Sequence, residues 1–93
     1  MLLNLSEQSN EPLHSQIARQ IRARILTGGL EPGAQLPSIR ALALELRVSV
    51  ITVQTAYDSL LKDGLIATRR TKGSVVADLT EAERRDAARR SLA

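Results

Sequence analysis

Residues 36–57 constrain this chain more than any other stretch. Ile39, Leu42, Ala43 and Leu46 recur at helical spacing. Ser38 stands just before them, where a short hydroxyl side chain caps a helix start. Arg47-Val48 then breaks the run as a tight turn, and Ser49 opens a second helix. The buried stripe of that helix is Val53, Ala56, Tyr57 and Leu60, with Leu61 at its margin. Two short helices around so brief a turn form a helix-turn-helix, whose second helix can lie in the major groove of DNA.

Residues 67–76 add a second feature. Residues 65–68 and 74–77 read as strands, with Arg69, Arg70 and Lys72 at a basic tip and Lys72-Gly73 near the turn. This is a wing over about residues 68–75. The predicted fold is mainly α with a small β-hairpin: a winged helix-turn-helix of three helices plus wing, followed by a short C-terminal helix.

The remaining segments fit that frame. Residues 1–11 form a loose arm or a short extended segment. Pro12 suits the first turn of a helix. Leu13, Ile17, Ile21 and Ile25 recur every four residues, with Arg19 and Arg22 on the other side. Gly28-Gly29 ends this first helix, and Glu31-Pro32-Gly33 has the order of a type II turn. Residues 35–37 are too short for more than a bridging strand. Leu44 is apolar on an expected outer face, either a tolerated surface residue or a subunit contact. The third helix spans about 49–64 and ends at Asp63-Gly64. Residues 80–83 form a capping box that opens a charged helix running to Ala93. The division is therefore an arm (1–11), a winged helix-turn-helix domain (12–77), and a C-terminal helix that begins a dimerisation region (78–93).

Ninety-three residues allow one domain, too small for a core plus a separate catalytic cleft. Tyr57 is the only aromatic, which argues against a reader of single strands that stacks bases on aromatic platforms. There is no cysteine, hence no disulfide or thiolate chemistry, and the chain suits a reducing, cytoplasmic setting. The apolar start at residues 1–5 lacks the basic region and length of a signal peptide, and no run approaches a membrane span. Residues 17–77 hold nine Lys/Arg against four Asp/Glu, so the positive charge sits where the helix-turn-helix lies. One histidine, no glycine-rich phosphate loop and no convincing carboxylate pair argue against an enzyme, a cofactor or a metal. His14 lies near the apolar stripe of the first helix and suits half-buried packing.

The chain resembles the DNA-binding domain of GntR-type bacterial transcription regulators from about Pro12 to Ala77. Pro12-Leu13-His14-Ser15-Gln16-Ile17, Gly29 through Arg40, Leu42-Ala43, Val48-Ser49, Thr52-Val53, Ala56-Tyr57, Leu60 and Asp63-Gly64-Leu65-Ile66 carry the resemblance. Ala56-Tyr57-Asp58-Ser59-Leu60 and the short basic C-terminal helix are most similar to the YtrA subfamily. The MocR type, fused to an aminotransferase-like domain, shares a very similar N-terminal module. The resemblance implies DNA contacts at Ser38, Arg40, Ser49, Val50, Ile51, Thr52, Gln54, Arg70, Thr71, Lys72 and Gly73. This sequence departs from the family in having Arg47 at a turn position often held by Gly. Its recognition-helix tip is apolar at Val50 and Ile51, and Thr71 stands where the wing often has Gly.

Chemistry fits these positions to roles. Arg40 can reach a phosphate or grip a guanine edge with its planar fork, or form a surface ion pair. Ser49 can cap a helix and touch a phosphate. Gln54 can bind adenine through two hydrogen bonds, and Val50, Ile51 and the Thr52 methyl can meet thymine methyls. Packing of Val50 or Ile51 against a neighbouring element is equally compatible with the residues. Arg69, Arg70 and Lys72 suit a phosphate run or the minor groove. The expected function is a sequence-specific regulator, a repressor, on a palindromic double-stranded operator. It is expected to act as a homodimer through the C-terminal helix, with an effector that the sequence does not name. The alternatives are a module of a larger effector-binding or MocR-type regulator, or a winged helix used for protein contact.

Overall fold

In the computed structural model, residues 1–78 are described. The capping box and helix expected beyond Asp78 lie outside the described residues, as does the dimer contact assigned to them.

Three helices and a hairpin follow one another: α1 (Leu13–Leu26), α2 (Ile39–Leu46), α3 (Val50–Lys62), β1 (Ile66–Arg69) and β2 (Gly73–Val76). Each helix forms where its apolar stripe predicts. Ile17, Ile21 and Ile25 of α1, Leu42 of α2, and Val53, Ala56 and Leu60 of α3 are fully buried together. With no Phe or Trp to fill the centre, aliphatic side chains and Tyr57 do so. The Tyr57 hydroxyl donates to the Pro37 carbonyl at 2.7 Å, tying α3 to the entry of α2. Burial, with the nearby Glu45 charge, pushes its pKa up to about 12. Leu61 does not join this stripe. It is 38% exposed, because one residue beyond Leu60 turns it about 100° away from the core.

The helix ends are set locally. Ser38 and Ser49 cap α2 and α3, accepting the N–H groups of Ala41 (3.1 Å) and Thr52 (3.0 Å). Arg47 takes the left-handed conformation (φ 57°, ψ 45°) at the end of α2. That conformation lets Val48 N–H reach the Ala43 carbonyl and Arg47 N–H the Leu44 carbonyl, closing the helix in a Schellman motif. Gly64 (φ 74°) does the same for α3, where Leu65 N–H bonds the Leu60 carbonyl. Leu65 is thereby drawn into the helix end, so β1 starts one residue later than the spacing predicts. The expected type II turn is present: Gly33 has φ 82°, and Ala34 N–H bonds the Glu31 carbonyl at 3.0 Å.

β1 and β2 pair antiparallel, from Ile66 opposite Val76 to Arg69 opposite Gly73. Residues 70–72 form the turn, so Gly73 opens β2 instead of sitting in the turn. The bridging strand also appears. Gln35 pairs with Val75, and Leu36 N–H bonds the Ser74 carbonyl at 2.8 Å. This segment covers the free edge of β2 and fixes the wing to the chain just ahead of α2.

The arm is the extended segment, not a loose one. Met1, Leu3 and Leu5 turn toward the core while Leu2 and Asn4 face outward, the alternation of a strand. Two glutamines one turn apart on α1 hold it. Gln16 accepts Ser6 N–H and donates to the Ser6 and Glu11 carbonyls, each at 2.8 Å. Gln20 accepts Asn4 N–H at 2.8 Å and donates to its carbonyl at 2.7 Å.

Candidate nucleic-acid interface

The sequence-derived positions fall into two groups. Ser38, Arg40, Ser49, Val50, Ile51, Thr52 and Gln54 gather at the N-terminal ends of α2 and α3. The Schellman turn at Arg47 folds α3 back against α2, so Arg40, Leu44, Arg47 and Val50 line one groove. Its floor is Ala43 and Val48. Ser38 and Ser49 are engaged as caps. Arg40 and Gln54 are exposed, and Thr52 is half-buried. Ile51 is 75% exposed, whereas Val50, 44% exposed, is partly covered where it lines the groove beside α2.

The second group is the wing. Arg70, Thr71 and Lys72 form the exposed tip. Gly73 adopts φ 72°, and a Cβ there would meet nothing within 4 Å, so its role is conformational freedom at the turn exit. Gln35 steadies the tip by donating to the Lys72 carbonyl at 2.8 Å. Sequence reasoning missed Gln35 and did not place Arg47 beside Arg40. The tight turn expected at Arg47-Val48 was the available signal for the second, and the bridging strand expected at residues 35–37 was the one for the first.

Charge is partitioned between the two sides of the domain. On α1, the Arg19 guanidinium grips both oxygens of Glu11 (2.9 and 3.0 Å) and holds that carboxyl below the usual range. Arg22 pairs with Asp63, and Arg24 donates to the Leu2 carbonyl. In contrast, Arg40, Arg47, Arg69, Arg70 and Lys72 have no ion-pair partner among the described residues. Among those residues there is also no cluster of His, Cys, Asp or Glu able to hold a metal, and no helix long and apolar enough to cross a membrane. His14 is half-buried on α1, as its position suggests.

This fold has known counterparts. The family described as bacterial regulatory proteins, gntR family, matches residues 13–76. The chain belongs to the GntR family. The HTH-type transcriptional regulator YhcF of Bacillus subtilis is 38% identical to it over 74 residues, which make up 80% of this chain and 61% of YhcF. The chain thus spans about three-fifths of that GntR relative's length. Among solved structures, YtrA from Sulfolobus acidocaldarius, a GntR-family transcription factor, superposes with a TM-score of 0.81 at 35% identity. That match covers 97% of this chain and 78% of YtrA. AraR(DBD), solved in complex with operator ORR3, matches with a TM-score of 0.64 at 25% identity, over 82% of this chain and 95% of AraR(DBD). The GntR resemblance and its YtrA-like character therefore hold.

Proposed function

We propose that this chain is a transcriptional regulator that binds a double-stranded operator sequence-specifically. In this reading α3 enters the major groove, Arg40 at the start of α2 engages a phosphate or guanine, and the wing lies on the minor groove or backbone. The observation that carries it is the partition of cations. The arginines of α1 are occupied internally, whereas Arg40, Arg47, Arg69, Arg70 and Lys72 are left for an anionic partner. The AraR(DBD)–operator complex, sharing this fold, supports the same partner class.

One such module reads only a few base pairs, so the working unit is a homodimer on a palindrome, its contact assigned to residues 78–93. The domain has no catalytic role in this reading and acts in the cytoplasm. Occupancy of an operator excludes other proteins from the same DNA, so repression is its expected outcome. Selection of binding sites from a randomised duplex library, with the winner titrated across salt concentrations, tests the proposal. A palindrome with a steep salt slope supports it. Uniform weak binding, with no enriched sequence, overturns it in favour of a protein-contact role.

A further inference from the structure

The exposed tip of α3 is apolar at Val50 and Ile51, and the hydroxyls near it each make an intramolecular hydrogen bond. The Thr52 hydroxyl is bonded to the Ser49 hydroxyl at 2.7 Å, and Ser49 is itself occupied by Thr52 N–H. The Thr55 hydroxyl donates to the Ile51 carbonyl at 2.9 Å. Ile51 stands at the centre of the outward face, opposite the buried stripe of Val53, Ala56, Tyr57 and Leu60. Val50 adjoins it. Gln54, on the same side of the helix, has no intramolecular hydrogen bond among the described residues, so its amide keeps its donors and its acceptor. Unpaired Arg40 and Arg47 share the groove beside α2 with Val50, the neighbour of Ile51, so an occupant that meets both residues is apolar at its contact point and anionic next to it. The C5-methyl group of a pyrimidine in the major groove, flanked by phosphates, has that character.

We propose that Ile51, assisted by Val50, reads the C5-methyl group of a pyrimidine and not its exocyclic oxygen or nitrogen. Resting on the DNA-binding role above, this makes 5-methylcytosine an acceptable substitute for thymine at that step, while uracil and cytosine bind more weakly.

The test uses the selected operator, with thymine, uracil, cytosine and 5-methylcytosine placed in turn at each pyrimidine position of the half-site. At one or two positions, thymine and 5-methylcytosine should bind alike, and uracil and cytosine about fourfold more weakly, the effect of burying one methyl group. Ile51→Ala should abolish that difference while its melting temperature stays unchanged, since the Ile51 side chain is largely exposed. Arg40→Ala should weaken all four duplexes and preserve the difference. If thymine and uracil bind alike at every position, the methyl reading is wrong although the chain still reads DNA. If no sequence is enriched at all, the DNA-binding role and the methyl reading fail together.

Discussion

Gln16 and Ser6 face each other as residues of two adjacent strands would: the Gln16 amide accepts Ser6 N–H and donates to the Ser6 carbonyl, both at 2.8 Å. A side chain on a helix thus substitutes for a strand edge and seats the arm on α1. Gln16 is only 2% exposed, so water has little access to replace these bonds. Gln16→Ala should destabilise the domain by about 2 kcal/mol, through the groups left unpaired. Chemical denaturation measures the change, and hydrogen exchange should show the Ser6 amide losing its protection. A Ser6 amide that stays protected would mean the arm is held by Met1, Leu3 and Leu5 alone.

Tyr57 couples stability to alkaline pH. Its hydroxyl ionises near pH 10 in the unfolded chain and at about 12 in the fold. Between those values the folded state holds the extra proton, so stability falls as pH rises. Tyr57→Phe removes the bond to Pro37 and should be less stable at pH 7 by about 1–2 kcal/mol. The gap between the two proteins should narrow from pH 10 to 12, because only the tyrosine form loses stability to ionisation. A constant gap in urea titrations across that window would refute this coupling.

Arg47 holds a left-handed conformation that costs a residue with a Cβ about 1–2 kcal/mol. Arg47→Gly removes that strain but adds about 0.5–1 kcal/mol of unfolded-state entropy. The net expectation is a stabilisation of about 0.5–1 kcal/mol, seen as a higher urea midpoint at unchanged slope. A lower midpoint would show that the Arg47 side chain contributes more to α2 than its conformation takes away.

The division between paired and unpaired arginines makes a direct prediction for binding. Arg70→Ala should lower the salt slope of operator binding by about 0.9, the value for a single phosphate that is no longer neutralised. Arg19→Ala should leave that slope unchanged, since Arg19 is occupied by Glu11. Equal effects from both variants would mean that the charge acts diffusely and not through the wing.

Much of this domain was legible because its signals are local. Ser38 and Ser49 cap helices through bonds three residues long, Gly33 sets a four-residue turn, and Arg47 closes α2 within one turn. The stripes of α1, α2 and α3 follow from the angle between successive side chains. The strand boundaries shifted by a residue because Leu65 belongs to two elements at once, with its N–H closing α3 and its carbonyl accepting from Ala77.

Sequence by itself determined the three helices, their caps, the turn and the hairpin, since each depends on residues a few positions apart. Tertiary structure alone decided that Gln16 and Gln20 clamp the arm, that Gln35 steadies the wing across 37 residues, and that Arg22 meets Asp63 across 41. It also decided that Ile51 is left exposed while the hydroxyls around it are engaged. The physical reason is common to all of these. An amide, a guanidinium or an apolar tip has the same chemistry wherever it stands along the chain, and only the packing of distant elements determines whether a partner is within about 3 Å of it.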